Sequence, residues 1–419
     1  MTKPKLLWAK GTSPLQPFPL ISSQIGSFSH YTVTKRMPEI IFRVIKENNF
    51  SPTINQNLSN LADELLSGYL SPLSDDTGID VGSWNQYLQP YIGQKWLDIP
   101  WFLAETYFYR QVLQITNYFG PSEFQGLDPY GVQKAQGLES CRESIIKLCE
   151  KLHLVKEGLN APERRSPQFG IDLRIKEFLY FALWGNRVDL SLWSAFEGDR
   201  SQFDIETQLS NILVDDTSQV IELLTNGSKG RVDIVVDNAG FELICDLCLM
   251  DFLLTSGLVE EVKLHLKPHP TFVSDAMIQD VYETIRFLSG FDNQEVKSFA
   301  SRLEEYLKQE QSLLSDNYFW ASPLAFWEIP NSLKIELSKA KLLIIKGDAN
   351  YRRLLGDRHW EYTTPIENII TYLPAPLVAL RTLKSQVVAG LESKVIKKLE
   401  TSDPDWLIDG KWGVIQFIA

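Results

Sequence analysis

The sequence predicts an α/β protein: a doubly wound, mostly parallel, Rossmann-like sheet with a helical N-terminal domain. Two observations lead there. Through the first half, apolar residues recur at three and four spacing, the period of an amphipathic helix. Beyond about residue 230 the pattern changes to continuous β-branched and apolar runs alternating with helical stretches, as in a parallel sheet covered on both faces. The length of 419 residues fits two domains, divided as 1–205 (helical) and 206–419 (α/β, catalytic).

The helical segments come first: 37–48 (MPEIIFRVIKEN), 55–68, 101–119 and 138–155, separated by Gly- and Pro-containing clusters near 121–131 and 158–170. A further helix is expected over 178–196, broken near Gly185-Asn186. In the second half, 231–240 (RVDIVVDNAG), 261–275 (opening EVKLHL), 339–350 (KAKLLIIKGDAN), 368–375 (NIITYLPA) and 411–419 (KWGVIQFIA) read as strands. Residues 241–257 between the first two read as a helix closed by Gly257.

Composition excludes several classes. A formal net charge of -12 leaves no basic face for nucleic acid. The most apolar stretch, Leu243 to Leu254, contains Asp246 and Asp251. It falls short of the ~20 apolar residues a membrane span needs. Four cysteines do not make a disulfide scaffold. The first residues lack the apolar core of a secretory signal, so the cytoplasm is the expected compartment.

Ligands of open α/β sheets bind outside the carboxyl ends of the strands. Three polar clusters fall at such ends: Asp237-Asn238, Ser274-Asp275, and Lys346-Gly347-Asp348-Ala349-Asn350. Two aspartates and an asparagine offer only oxygen donors. These suit a hard divalent cation, Mn²⁺ or Mg²⁺, with Co²⁺ and Ni²⁺ within range of the same donors. The competing reading is that Asp and Asn end strands and cap helices in any protein. Three clusters on one sheet edge weigh against it.

The stretches VVDNAGFELICDL (235–247), KPHPTFVSDA (267–276) and KGDANYRRLLGDR (346–358), with the tetrad Arg381-Thr382-Leu383-Lys384, resemble the damage-control phosphatase family, long known as domain of unknown function 89. The Arg-Thr-x-Lys tetrad, WFLAETYFYR (101–110) and LWGNRVDLSLW (183–193) are similar to its branch acting on sugar phosphates. The resemblance implies a metal-dependent phosphatase for small phosphorylated metabolites such as fructose 1-phosphate, with a small phosphate ester as partner. It implies Asp237, Asn238 and Asp275 as metal ligands and catalytic centre. The implied substrate set is Asp348, Asn350, Tyr351, Arg352, Lys384 and Ser274. Lysine is a compact charge suited to phosphate, whereas Asp348 would repel phosphate and suits sugar hydroxyls. Attack on phosphorus by Asp237 and by activated water both fit these residues.

Other signals are weaker. Cys245-x-x-Cys248 has zinc or redox spacing but lies in an apolar helical run, as buried core cysteines do. His265 and His269 are four apart, yet Pro268 and Pro270 exclude the helix that zinc spacing needs. His359 has no placed partner. Gly347 lacks the rest of a phosphate-binding glycine loop. Glu105 and Arg110 either reach the crevice or tie the domains together, with the tie preferred; Asn186 is a helix break or a substrate contact. Two rival functions are an S-adenosylmethionine-dependent protein-glutamate methyltransferase and a non-enzymatic sugar-phosphate binder. The first wants a glycine-rich loop where Asp237-Asn238-Ala239-Gly240 stands. The second has no need of all three metal ligands.

Overall fold

The computed structural model describes residues 16–74, 77–160, 167–185, 210–309 and 312–419. Asn186 and the expected helical residues 186–196 lie outside them. Up to residue 185 the described regular elements are helices, with only isolated β-bridges. The longer ones are α1 (Met37–Glu47), α2 (Pro52–Ser67), α3 (Val81–Leu88), α4 (Trp101–Ile115), α5 (Gly131–Ser140), α6 (Arg142–Asn160) and α7 (Pro167–Trp184). The start of α2 shows the local logic: Ser51 accepts a hydrogen bond from Ile54 N, and Pro52 occupies a first-turn position that needs no N–H. The helix expected over 138–155 is two, because α5 ends at Ser140 and α6 restarts at Arg142.

The rest builds one sheet: β1 (Ile212–Asp215), α8 (Thr217–Thr225), β2 (Arg231–Val235), α9 (Phe241–Thr255), β3 (Glu261–Leu266), α10 (Ile278–Ser289), α11 (Gln294–Lys308), β4 (Ser312–Asp316), α12 (Asn331–Leu337), β5 (Ala340–Lys346), α13 (Asp348–Leu355), β6 (Leu377–Thr382), α14 (Ser393–Ser402) and β7 (Gly413–Ile418). Its order is β1-β7-β6-β5-β2-β3-β4. Strands β6, β5, β2, β3 and β4 are mutually parallel; β7 pairs antiparallel with β6 and parallel with β1. The sheet is thus mixed and mostly parallel. The strand expected at 368–375 is corrected: Ile366–Ile369 forms a helical turn, and the strand begins only after Pro374 and Pro376, at Leu377. Proline cannot donate to a sheet ladder, so the apolar run before it cannot pair through.

Strand residues alternate between two cores. Val235, Leu343, Ile345, Leu377 and Ala379 pack with α1 to α4 and α13. Val232, Ile234, Leu342, Ile344, Val378 and Leu380 pack with α6, α7, α9, α10 and α11. Burial on both faces is why these strands read as continuous apolar runs. Helix α9 is buried from Phe241 through Leu253 on every side, which explains its lack of an apolar stripe. Both cores run across the 205/206 boundary, since helices from the first half cover both faces. No helix among the described residues is long and apolar enough to cross a membrane.

Candidate active site

The carboxyl ends of β6, β5, β2 and β3 lie side by side, and the polar clusters gather there. Asp237 and Asn238 leave β2 directly. Asp275 arrives differently: β3 stops at Leu266, and the loop 267–277 folds back to the end of β2. Ala276 N donates to Asp237 O (2.8 Å) and Ala239 N to Ser274 O (2.7 Å), while Asn238 and Asp275 form an antiparallel bridge. The loop turns through Phe272 (φ 47°) and Val273 (φ 66°), left-handed conformations that cost a β-branched residue energy. Packing of the Phe272 ring against Phe102 and Tyr109 (centroids 6.0 and 5.2 Å) holds the turn in place.

Both carboxylates of the site are buried. Asp237 is 6% exposed and Asp275 1%. Burial, then the charges of Glu242 and Asp275, push the Asp237 carboxyl well above its ordinary value, against the pull of Lys384 and Lys267. Burial likewise raises Asp275 to about 6 despite Lys267, whose ammonium lies 3.3 Å away. Oδ2 of Asp275 has no aligned hydrogen-bond donor. Asn238 donates from Nδ2 to Asp237 (2.7 Å) and Glu242 (2.8 Å), and its Oδ1 accepts from the Ser274 hydroxyl. Among the described residues, no three His, Cys, Asp or Glu side chains are grouped to hold a metal. Asp237, Asp275 and the Asn238 carbonyl offer an all-oxygen donor set, which would suit a hard divalent ion.

Asp348 opens α13. Its Oδ1 accepts from Arg381 (Nε 2.8 Å), Lys384 N (3.2 Å) and Ser385 Oγ (3.1 Å). Burial works against its ionisation, but Arg381 and Arg352 outweigh that and hold the carboxyl below its ordinary value. The turn after β6 is thereby fastened to the start of α13, and it carries the half-buried Lys384. Beside Asn238 and Ser274 opens a cleft of about 590 Å³, bordered by Ala239, Gly240, Glu242 and Ser274 on one side and by Arg43, Gln133 and Gln136 on the other. Asp237, Asn238, Asp275, Asp348 and Lys384 are not among its lining residues.

A profile of the damage-control phosphatase ARMT1-like domain matches residues 32–399. The chain belongs to this family. Curated relatives named damage-control phosphatase ARMT1 include those of Danio rerio (33% identical, covering 96% of this chain and 97% of the relative), Bos taurus (34%, 96% and 98%) and Homo sapiens (32%, 96% and 98%). A crystal structure of a DUF89 family protein from Pyrococcus horikoshii aligns over 92% of this chain and 97% of that one, with a TM-score of 0.45 and 13% identity.

Within the family-like stretch 346–358, the structure separates residues that the sequence groups together. Asn350, Tyr351 and Arg352 were expected beside substrate, yet all three are buried and occupied by protein partners. Asn350 accepts from Lys267 Nζ (3.1 Å) and donates to Val236 O and Lys346 O, joining the ends of β2 and β5. Tyr351 is turned into the core, its hydroxyl donating to Gln416 (2.7 Å). Arg352 bonds Glu105 (2.6 Å) and Asp357 (2.8 Å) and lies 3.6 Å over the Trp101 ring. Of Asp348, Asn350, Tyr351 and Arg352, only Asp348 keeps exposed surface. Glu105 thus ties α4 to α13, and Arg110 is engaged with Asp80 (2.9 and 2.8 Å) beneath α3. Cys245 and Cys248 are buried free thiols that burial pushes well above their ordinary value. His265 pairs with Asp233 (2.8 Å) inside the sheet. The sequence analysis passes over Glu242 and assigns no role to Lys346, Lys267 or Arg381. Only Glu242 left a signal, an acid four residues after Asn238.

Proposed function

We propose that this chain is a divalent-metal-dependent phosphatase that hydrolyses phosphorylated sugars. One observation carries the reading: the loop carrying Asp275 folds back to bridge Asn238 at the end of β2, so the oxygen donors Asp237, Asn238 and Asp275 stand together, with Lys267 the one cation paired to Asp275 among the described residues. The names of the curated relatives, damage-control phosphatase, agree with phosphate-ester hydrolysis. A divalent ion held there would polarise a phosphoryl oxygen and raise the acidity of an attacking water. The protein's own groups do the rest. Lys384 lies close enough to act on the Asp237 charge, so it can offset phosphate charge as that charge grows in the transition state. Lys267 balances Asp275 from beneath. Asp348 holds the Lys384 turn through Oδ1 and keeps part of its carboxylate surface for sugar hydroxyls, 14% of the side chain being exposed. The test is hydrolysis of a panel of sugar phosphates, fructose 1-phosphate included, with Mn²⁺ or Mg²⁺ and after EDTA treatment. Hydrolysis is expected only with metal, and Asp237→Ala should fold yet be inactive. Full activity after exhaustive chelation would sink the reading.

A further inference from the structure

Beneath the three oxygen donors lies a buried charge cluster that the proposed chemistry does not use. Lys346, the last residue of β5, is 1% exposed. Its ammonium bonds Asp246 (2.7 Å) and Glu242 (3.2 Å), two acids one turn apart on α9. Glu242 has a second contact, accepting from Asn238 Nδ2 at 2.8 Å through its other oxygen. Both amide hydrogens of Asn238 are then committed, one to Asp237 and one to Glu242. An amide with both N–H groups donated to acids cannot flip, because the flipped form would face oxygen with oxygen. Its carbonyl oxygen is left on the side of Ser274, from whose hydroxyl it accepts.

Packing holds Glu242 as firmly as hydrogen bonds do. A Cβ on Gly185 would stand 3.1 Å from Glu242 Cα and 3.1 Å from Cys245 Cβ, so the end of α7 closes directly on this turn of α9. Lys346 is followed at once by Gly347 and Asp348. One ammonium thereby couples the end of β5 to the first turn of α9.

We propose that Glu242 is a positioning residue for cation binding. Held by Lys346, it fixes the Asn238 amide with Oδ1 presented as a ligand and Nδ2 turned away. The inference rests on the metal-dependent reading of the site. Partners behind metal ligands of this kind typically matter by 10–100-fold in metal affinity. Glu242→Gln keeps the shape but cannot serve both neighbours: whichever way its amide turns, an NH₂ meets either the Asn238 amide hydrogens or the Lys346 ammonium. Glu242→Ala removes both contacts.

The experiment titrates Mn²⁺ into the full chain and follows free Mn²⁺ by its paramagnetic resonance signal, for the wild type and both variants. Thermal unfolding is recorded without metal. Both variants should bind Mn²⁺ about 10–100-fold more weakly than the wild type. A variant that unfolds earlier but holds Mn²⁺ as tightly as the wild type would assign Glu242 to the fold alone and overturn the proposal. Unchanged affinity in both variants with unchanged unfolding overturns it equally. Failure of the wild type itself to bind Mn²⁺ defeats the metal reading of the whole site, and this inference with it.

Discussion

A Cβ on Gly347 would stand 1.9 Å from Oδ2 of Asp237. The backbone at the end of β5 is therefore the wall against which the Asp237 carboxylate rests. Gly347 also has a φ of 82°, which disfavours any side chain. Gly347→Ala should displace the carboxylate by an ångström or more. Misplacements of that size cost on the order of 10² in rate. kcat/KM for fructose 1-phosphate should fall about 100-fold in a protein that still folds; a loss under threefold would contradict this account of the wall.

Asp348 and Lys384 should separate by substrate. On the proposed function Lys384→Ala removes the charge that offsets phosphate, so fructose 1-phosphate and p-nitrophenyl phosphate should suffer alike, by ~10²–10³. Asp348→Ala should hurt the sugar phosphate more than the aryl phosphate, which has no hydroxyls to read. It should also lower stability by about 3–5 kcal/mol, because it strands the fully buried Arg381 guanidinium. Steady-state kinetics on both substrates, with urea unfolding, checks both halves. Equal losses on the two substrates would reduce Asp348 to an anchor.

Lys134 joins α5, the far wall of the cleft, to the rest of the protein. It is 2.9 Å from both Asp128 and Asp280, and all three side chains are almost fully buried. Asp280 Oδ2 also accepts from Met277 N, two residues beyond Asp275. Lys134→Met leaves two buried acids without their cation, so urea unfolding should show a loss of about 3–5 kcal/mol. A variant as stable as the wild type would mean that water reaches these acids.

Glu328 gives the protein a pH dependence away from the site. Burial raises its carboxyl from 4.5 to about 7, against its hydrogen bond from Ala325 N and the pull of Arg358 and Arg353. The folded state thus holds the proton more tightly than the unfolded chain. The stability this confers is complete below about pH 4.5 and is lost as pH rises through 7. Glu328→Gln keeps an acceptor for Ala325 and never ionises. Denaturant melts should find it more stable than the wild type at pH 8, by up to about 3 kcal/mol, and equal at pH 4. No gain at pH 8 would mean that the carboxylate is solvated when charged.

Much of this architecture was legible because β5 is apolar on both faces, while β2 and β3 keep an apolar residue at every second position and β7 is mostly apolar. Strands β1 and β4 were not, since ILVD and SLLSD are short, end in acids and lack a β-branched run. The convergence of Asp237 with Asp275 was expected from strand ends. The structure achieves it with a returning loop whose left-handed Phe272 and Val273 no propensity would suggest. The pairing of Glu242 with Lys346 was hidden for a different reason. A charged residue near a helix start or strand end ordinarily faces water, and only the sheet order buries these two against each other. Tyr351 and Arg352 followed Asp348 so closely that they read as one loop, whereas helical geometry turns them away from the crevice.

Strand β7, residues 413–418, lies between β1 and β6 and is the only strand beside β1. Synthesis proceeds from the N-terminus at roughly 5–20 residues per second. On the ribosome, β1 and the outer edge of β6 must wait with unpaired backbone groups until residue 418 has left the exit tunnel. An open strand edge is a template for pairing with other chains. The order of synthesis therefore leaves the interior of this sheet open until β7 is available to join β1 to β6.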